Sequence, residues 1–159
     1  MTSTLTLISV NKLQQEINKT LKSFNGNTGI YISLNKTQKK IEEILKKEKI
    51  NIKKLFFIDC VTSNKTKDDV LHISPDRLDL LNSAINSFIK DIKGQKFLIL
   101  DALSSLLIFN NENKVADFIK EITQEASQNH TNVIAFSPQT KGKELLNQIF
   151  DYFDEVKKV

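Results

Sequence analysis

The stretch that most constrains the fold is an apolar run near the middle of the chain. Residues Lys96 to Leu100 read KFLIL, with Gly94 two positions before the run and Asp101 directly after it. A run of this kind, without alternating polar positions, is typical of a strand that is covered on both faces. We therefore predict a central strand of a parallel sheet that carries a carboxylate at its end.

Asp101 has two possible roles at this position. Aspartate is frequent at turns and helix caps, because its side chain accepts hydrogen bonds from nearby backbone amides. A carboxylate at the end of a central strand can instead face a ligand at the edge of the sheet. Capping is the commoner role, and the stretch itself leaves both open.

Segments of strand character alternate with segments of helical periodicity along the whole chain. Further strands are predicted at Leu5–Val10, Gly29–Leu34, Leu55–Ile58, Val70–Ile73, Asn132–Phe136 and Glu155–Val159. Such alternation with short connections builds a parallel sheet that has helices on both faces. We predict an α/β three-layer sandwich with a mostly parallel sheet, in one domain over residues 1–159.

Capping signals predict where the helices begin. Asn11 and Asn35 each stand three residues before a glutamine, as the first residue of a capping box does. Ser74-Pro75, which follows a polar segment at 62–69, is typical of a helix start. The apolar face predicted for that third helix consists of Leu78, Leu81, Ile85, Phe88 and Ile92.

The positive charge does not indicate a nucleic-acid partner. The chain has a formal charge of +4, but Arg77 is its sole arginine and its lysines are interspersed with acidic and amide residues. Arginine supplies the forked donors that phosphate and guanine recognition usually uses. Interspersed charge is normally solvated surface, so we expect nucleic-acid binding to be unlikely.

Cysteine content and hydropathy indicate a cytoplasmic protein without a membrane segment. Cys60 is the sole cysteine, which excludes an intrachain disulfide and fits a reducing compartment. No run approaches the length of about 20 apolar residues that spans a bilayer, and the apolar segment at 5–10 is too short for a signal peptide.

Candidate ligand-binding residues lie just past the predicted strands. In parallel sheets, ligands bind beyond the carboxyl ends of the strands. The residues at those positions are Asn11, Lys12, Asn35, Asp59, Asp101 and Ser137.

Common catalytic motifs are missing from the sequence. Its four glycines do not have the spacing of a phosphate-binding P-loop or of a dinucleotide fingerprint, and no nucleophile-elbow motif occurs. His72 and His130 have no neighbours at a metal-ligand spacing, so surface or capping roles are expected for both. We predict no metal site, with Asp101 as the one weak candidate for Mg²⁺.

Three segments nevertheless resemble a known family. The segments GIYISLNKT, LFFIDCVT and KFLILDALSSLLIF are similar, in order and spacing, to the core of RecA-like ATPases of the KaiC type, particularly the short archaeal KaiC-like proteins. The resemblance covers about residues 29–136. It implies a RecA-like fold in which Asp101 occupies the position of the Walker B carboxylate, which helps to hold Mg²⁺ on the nucleotide.

Two catalytic parts of that family are absent here. Where the family carries its phosphate loop, between the first strand and the first helix, this chain has only Ser9, Val10, Asn11 and Lys12. Where active members usually carry a catalytic glutamate, this chain has Asn35, whose amide cannot act as a general base. We therefore expect no ATPase activity and no required cofactor, although ATP with Mg²⁺ remains a possible ligand.

Three functional hypotheses follow from the sequence. In the first, the chain is a degenerate RecA/KaiC-like domain that binds a protein partner, either itself or an active relative. In the second, it is a nucleotide or small-ligand sensor that uses Lys12, Asp101 and Ser137 without hydrolysis. The third and weakest is nucleic-acid binding through exposed lysines, whose affinity would fall steeply with salt.

Overall fold

A computed structural model describes residues 2–61, 70–139 and 142–159. The strands are β1 (Ser3–Leu7), β2 (Thr28–Ser33), β3 (Leu55–Asp59), β4 (Leu71–His72), β5 (Lys96–Leu100), β6 (Thr131–Ser137) and β7 (Glu155–Lys158). The α-helices are α1 (Val10–Ser23), α2 (Gln38–Lys47), α3 (Leu78–Asp91), α4 (Glu112–Gln128) and α5 (Lys143–Ile149). Two 3₁₀ helices cover Leu103–Ile108 and Phe150–Tyr152. The polar segment predicted at 62–69 lies outside the described residues.

The seven strands form one sheet in the order β4-β3-β2-β5-β6-β1-β7. Every strand pair in it is parallel. β5 lies in the middle, and all five of its residues are buried. The predicted central strand and the predicted α/β class are therefore confirmed.

Two apolar cores lie on opposite faces of this sheet. The larger core joins strand residues such as Ile30 and Ile32 to the buried faces of α3, α4 and α5. The smaller core joins Tyr31 and other oppositely directed strand residues to α1 and α2. Successive side chains of one strand therefore point alternately into the two cores, as expected for a sheet that lies between two helical layers.

The predicted starts of the first two helices were wrong. α1 begins at Val10, so Asn11 lies inside its first turn and Ser9 is the N-cap residue. α2 has Thr37 as its N-cap, and the Thr37 hydroxyl accepts a hydrogen bond from the Lys40 amide at 3.3 Å. Neither Asn11 nor Asn35 therefore caps a helix. The Thr37 hydroxyl fits the N-cap position of α2, whereas the Ser9 side chain at the start of α1 makes no capping hydrogen bond.

The third helix also begins later than the sequence predicts. Residues 74–77 form a separate turn, closed by the Arg77 amide donating to the Ser74 carbonyl at 3.0 Å, and α3 begins at Leu78. Its fully buried residues are Leu81, Ile85 and Ile89. Phe88, predicted to be central to this face, is half-buried and packs edge-on against Phe56. Leu78 and Phe88 of the predicted face are thus partly buried against the larger core, beside the fully buried Leu81 and Ile85.

Among the described residues, no helix combines the length and the apolar character that crossing a membrane would need.

Candidate functional site

The Asp101 carboxylate lies inside the molecule and bridges two neighbouring strand ends. Asp101 follows β5 and is 2% exposed. Its Oδ1 accepts a hydrogen bond from the Leu34 backbone amide at 2.7 Å, and its Oδ2 accepts one from the Tyr31 hydroxyl at 3.2 Å. Tyr31 lies in β2, which pairs with β5, and Leu34 directly follows the end of β2. The side chain therefore fixes the end of β2 against the end of β5.

Burial changes the acidity of this group. Removal from water raises the pKa of Asp101 to about 7, and the two hydrogen bonds from Leu34 and Tyr31 oppose that rise. The nearby Lys36 ammonium also favours the charged form. Near neutral pH this carboxyl group is therefore poised between its neutral and its charged forms.

The expectation that Asp101 caps its own turn was wrong. The 3₁₀ helix after it begins at Leu103, its N-cap residue is Ala102, and no side-chain capping hydrogen bond is made at its start. The carboxylate instead turns across the sheet to β2, where two donors meet it in a buried position. A buried carboxylate is stabilised more by two such donors than by one exposed turn amide.

The junction where the resembling family holds a phosphate loop is short and closed. β1 ends at Leu7 and α1 begins at Val10, so only Ile8 and Ser9 connect them. Ile8 is 1% exposed in the smaller core, and its amide donates to the Ser137 carbonyl at 3.0 Å. The Ser9 hydroxyl donates to the Asn11 side-chain oxygen at 2.7 Å.

The predicted site residues are not brought together around one opening. Asn11 and Lys12 are exposed on the first turn of α1, whereas Ser137 is 2% exposed at the end of β6. Asp101 is buried between strands, as described above. Of the predicted set, Asn35 alone is exposed beside a cleft.

That cleft lies at the carboxyl ends of β2, β3 and β4 and has a volume of about 600 Å³. Its wall carries three exposed apolar side chains, Val61 at 40%, Ile108 at 75% and Phe109 at 55%. The other lining residues are Leu34, Asn35, Cys60, His72, Ile73, Ser74, Pro75 and Ser105. When large apolar side chains around a concave surface are exposed to solvent, that surface is often a binding site.

A buried polar cluster adjoins the cleft. Asp59 accepts hydrogen bonds from the amides of Gln38 at 3.2 Å and Val61 at 2.8 Å. The His72 ring lies beside it, with Nδ1 3.8 Å from Asp59 Oδ2. Both ring nitrogens of His72 and the Gln38 side-chain amide nitrogen are buried without a hydrogen-bond partner.

The sequence analysis predicted a surface or capping role for His72, because its partner, Asp59, lies in a different strand. His72 stands in β4, and the parallel pairing of β3 with β4 brings it opposite Asp59. The sequence did carry one sign of this pairing, since short extended segments lie on both sides of residues 62–69.

Cys60 lies between this cluster and the cleft. Burial, together with the charges of Asp59 and Asp101, raises the pKa of the Cys60 thiol to about 12. The thiol is therefore neutral near pH 7, and it is not an activated nucleophile.

The Asp101 carboxylate and the β1–α1 junction are engaged within the protein. Within 2–61, 70–139 and 142–159, no group of three or more His, Cys, Asp or Glu residues is arranged to hold a metal ion. Both oxygens of Asp101 accept hydrogen bonds from protein donors, and two residues join β1 to α1. The carboxylate is 2% exposed in this conformation.

Comparison with known proteins identifies the fold but no sequence family. No protein-family model matches the chain, and no curated protein matches it by sequence. Among solved structures, a KaiC-like protein from the hyperthermophilic archaeon Pyrococcus horikoshii superposes with a TM-score of 0.60 at 13% identity, over 98% of this chain and 69% of that one.

Two further Pyrococcus horikoshii structures are similar. An uncharacterized protein, solved in complex with an unknown peptide, gives a TM-score of 0.72 at 15% identity over 99% of this chain and 76% of its own. Another gives 0.66 at 9% identity over 99% and 81%. These likenesses show a RecA-like, KaiC-like fold.

Proposed function

We propose that this protein is a non-catalytic RecA/KaiC-like domain that acts by binding a segment of another protein, and that it has lost ATP hydrolysis. The observation that carries the proposal is the exposed apolar wall of the carboxyl-edge cleft, formed by Val61, Ile108 and Phe109. Apolar surface of this kind is stabilised when a partner removes it from water.

The first support is the state of the former nucleotide position. Ile8 is buried and its amide is bonded to Ser137 at the end of β6, whereas Ser9 is exposed, and Asp101 is bonded to the Leu34 amide just after β2. Catalysis of phosphoryl transfer depends mainly on fixed donors and cations around the phosphates. The sequence has no phosphate-loop motif between β1 and α1, and it has Asn35 where active members of the resembling family usually carry a catalytic glutamate.

The second support is the chemistry of the cleft. Its exposed side chains are apolar, and Asn35, Ser74 and Ser105 add uncharged polar groups. A peptide segment offers apolar side chains for such walls and backbone amides for such polar groups, whereas a triphosphate requires cations.

The third support comes from a structural neighbour. The similar Pyrococcus horikoshii protein with a TM-score of 0.72 was solved in complex with an unknown peptide. Peptide binding on this fold therefore has a precedent, and the family resemblance suggests a second copy of the chain or a catalytically competent relative as the partner.

The test is selection of peptides from a random library on the wild-type protein, followed by affinity measurement on variants. We expect the selected peptides to carry a large apolar residue and to lose at least about tenfold in affinity on the double variant Ile108→Ser/Phe109→Ser. Both residues are exposed, so the variant should fold normally.

Val10→Ser is the matched control, since Val10 is an apolar residue that is 63% exposed on α1, at a distance from the cleft. Affinity should not change in this control. Peptides that bind the cleft variant as well as they bind the wild type would overturn the proposal, as would a library that yields no binder at all.

A further inference from the structure

Strand β7 presents an open edge to solvent. Its four residues are all exposed, and within the described ranges one side of it pairs with β1 while no strand pairs with the other. The Val159 amide donates to the Leu7 carbonyl at 2.9 Å, so alternate residues direct their backbone groups towards β1. Val156 and Lys158 therefore direct their N–H and C=O groups to the open side.

The charges along this edge change from negative to positive at Val156. Residues 154–158 read Asp-Glu-Val-Lys-Lys, so two acids precede Val156 and two lysines follow it. If a second copy pairs antiparallel with Val156 opposite Val156, each Glu155 faces a Lys157 of the other copy. Parallel in-register pairing would instead place like charges side by side, which is destabilising.

Backbone geometry is compatible with this register. In an antiparallel pair, opposed residues must both direct their backbone groups to the partner or both direct them away. Val156 meets that condition with its own copy, as a hydrogen-bonded pair. Pairing centred on Lys157 would also meet it, but it would oppose two positive charges, so charge is what favours Val156.

An apolar groove runs beside the same edge. A cavity of about 480 Å³ lies between α5 and β7, with Leu7, Leu146, Phe150 and Val156 among its lining residues. Val156 is in register with Leu5, whose side chain belongs to the larger core, so Val156 points to the α5 face. A twofold axis through the Val156 pair would place the grooves of the two copies next to each other on the same face of the joined sheet.

The geometry points to a homodimer formed by antiparallel pairing of β7 with β7 of a second copy, centred on Val156. This inference goes beyond the proposed function, because the edge and the cleft are separate surfaces and neither depends on the other. The opposite edge of the sheet is β4, which has two residues, so the extended edge favours a closed dimer over an open filament.

The pair formed by Glu155 and Lys157 provides the test, since Asp154 already accepts a hydrogen bond from the Ser3 amide at 2.9 Å. Sedimentation equilibrium over about 10 µM to about 1 mM should show a monomer–dimer equilibrium for the wild type. Glu155→Lys and Lys157→Glu should each weaken dimerisation by at least about tenfold, because two attractive pairs become repulsive.

Mixing the two single variants restores opposite charges at both pairs, so the 1:1 mixture should form a heterodimer of wild-type affinity. The double variant Glu155→Lys/Lys157→Glu should also dimerise as the wild type does. Lys53→Glu, at an exposed position before β3, is the control for a change of net charge and should not alter dimerisation.

Either of two results would overturn the inference. One is a wild type that stays monomeric to about 1 mM, a concentration at which even a weak edge pairing is populated. The other is single variants that dimerise as well as the wild type, which would place any dimer interface elsewhere on the surface. Neither result would bear on peptide binding in the cleft.

Discussion

The carboxyl edge of the sheet has two halves that differ sharply. At the β1 and β6 end, two residues join strand to helix, Ile8 is buried, and the Ile8 amide is bonded to Ser137. At the β2, β3 and β4 end, a cleft of about 600 Å³ opens between exposed apolar side chains. We call these the closed half and the open half.

This difference teaches that one edge of a sheet can be packed like a core at one end and left concave and apolar at the other. In the resembling family the nucleotide sits at the position of the closed half, where this chain is packed like a core. The open half has a concave surface with apolar side chains that are exposed to water. Substitutions in the closed half should therefore change stability, and those in the open half should change binding.

The largest effect is expected from a matched pair of isoleucines. Ile8→Ala, in the closed half, should lower the free energy of unfolding by about 2 to 5 kcal/mol, because Ile8 is 1% exposed and its removal leaves a cavity. Ile108→Ala, in the open half, should change it by less than about 0.5 kcal/mol, because Ile108 is 75% exposed.

Urea unfolding of both variants measures the difference. Equal losses would remove the distinction between the halves. A small loss for Ile8→Ala alone would mean that the β1–α1 junction is not packed as described.

Asp101, between the two halves, should give the next largest effect. Its pKa is about 7 in the folded protein, against an ordinary value of 3.8, so the folded state binds the proton more tightly. The stability that this group contributes is therefore complete below about pH 4 and is lost as pH rises through 7. Asn keeps an acceptor for the Leu34 amide and a donor for the Tyr31 oxygen without becoming charged.

Asp101→Asn should thus be more stable than the wild type at pH 8, and this advantage should grow by about 2.6 kcal/mol from pH 5 to pH 8. Urea unfolding at both pH values tests this, with Asp117→Asn, on the exposed side of α4, as the control. A pH-independent difference between Asp101→Asn and the wild type would contradict the assigned burial of the carboxylate.

The smallest expected effect concerns nucleotides at the closed half. A ligand at about 100 times its dissociation constant would stabilise the folded state by about 2.7 kcal/mol. We expect ATP with Mg²⁺ to stabilise it by less than about 0.3 kcal/mol, and phosphate release to stay at background. A nucleotide-dependent rise in melting temperature that Asp101→Ala abolishes would instead favour the sensor hypothesis.

The fold was predictable from the sequence because its signals are local. The KFLIL run, the helical spacing of Val115, Phe118, Ile119 and Ile122, and the edge strand near 155–159 all appear in the structure. Each depends on side-chain periodicity within one segment, which burial on the faces of a sheet enforces.

The site was less predictable because its contacts join distant segments. Asp101 was identified as a strand-end residue, but its donors are on β2, 67 and 70 positions away. The exposed Ile108 and Phe109 belong to an apolar stretch whose helical register the sequence does not fix. Whether an apolar residue faces a core or a cleft is decided by packing between elements, which local pattern does not encode.

The placement of β1 in the sheet has a consequence for how the chain reaches this state. Ser3–Leu7 pairs with residues 133–137 on one side and, through Thr4–Leu7, with 155–158 on the other, so its partners lie some 130 to 150 positions downstream. Contacts of such long sequence separation slow folding, because the loop must close before they form. During synthesis this strand must wait, unpaired and β-prone, until residues 133–158 have left the ribosome. The emergence of β6 and β7 therefore decides when β1 finds its partners, and this interval is when a chaperone would be most useful to the chain.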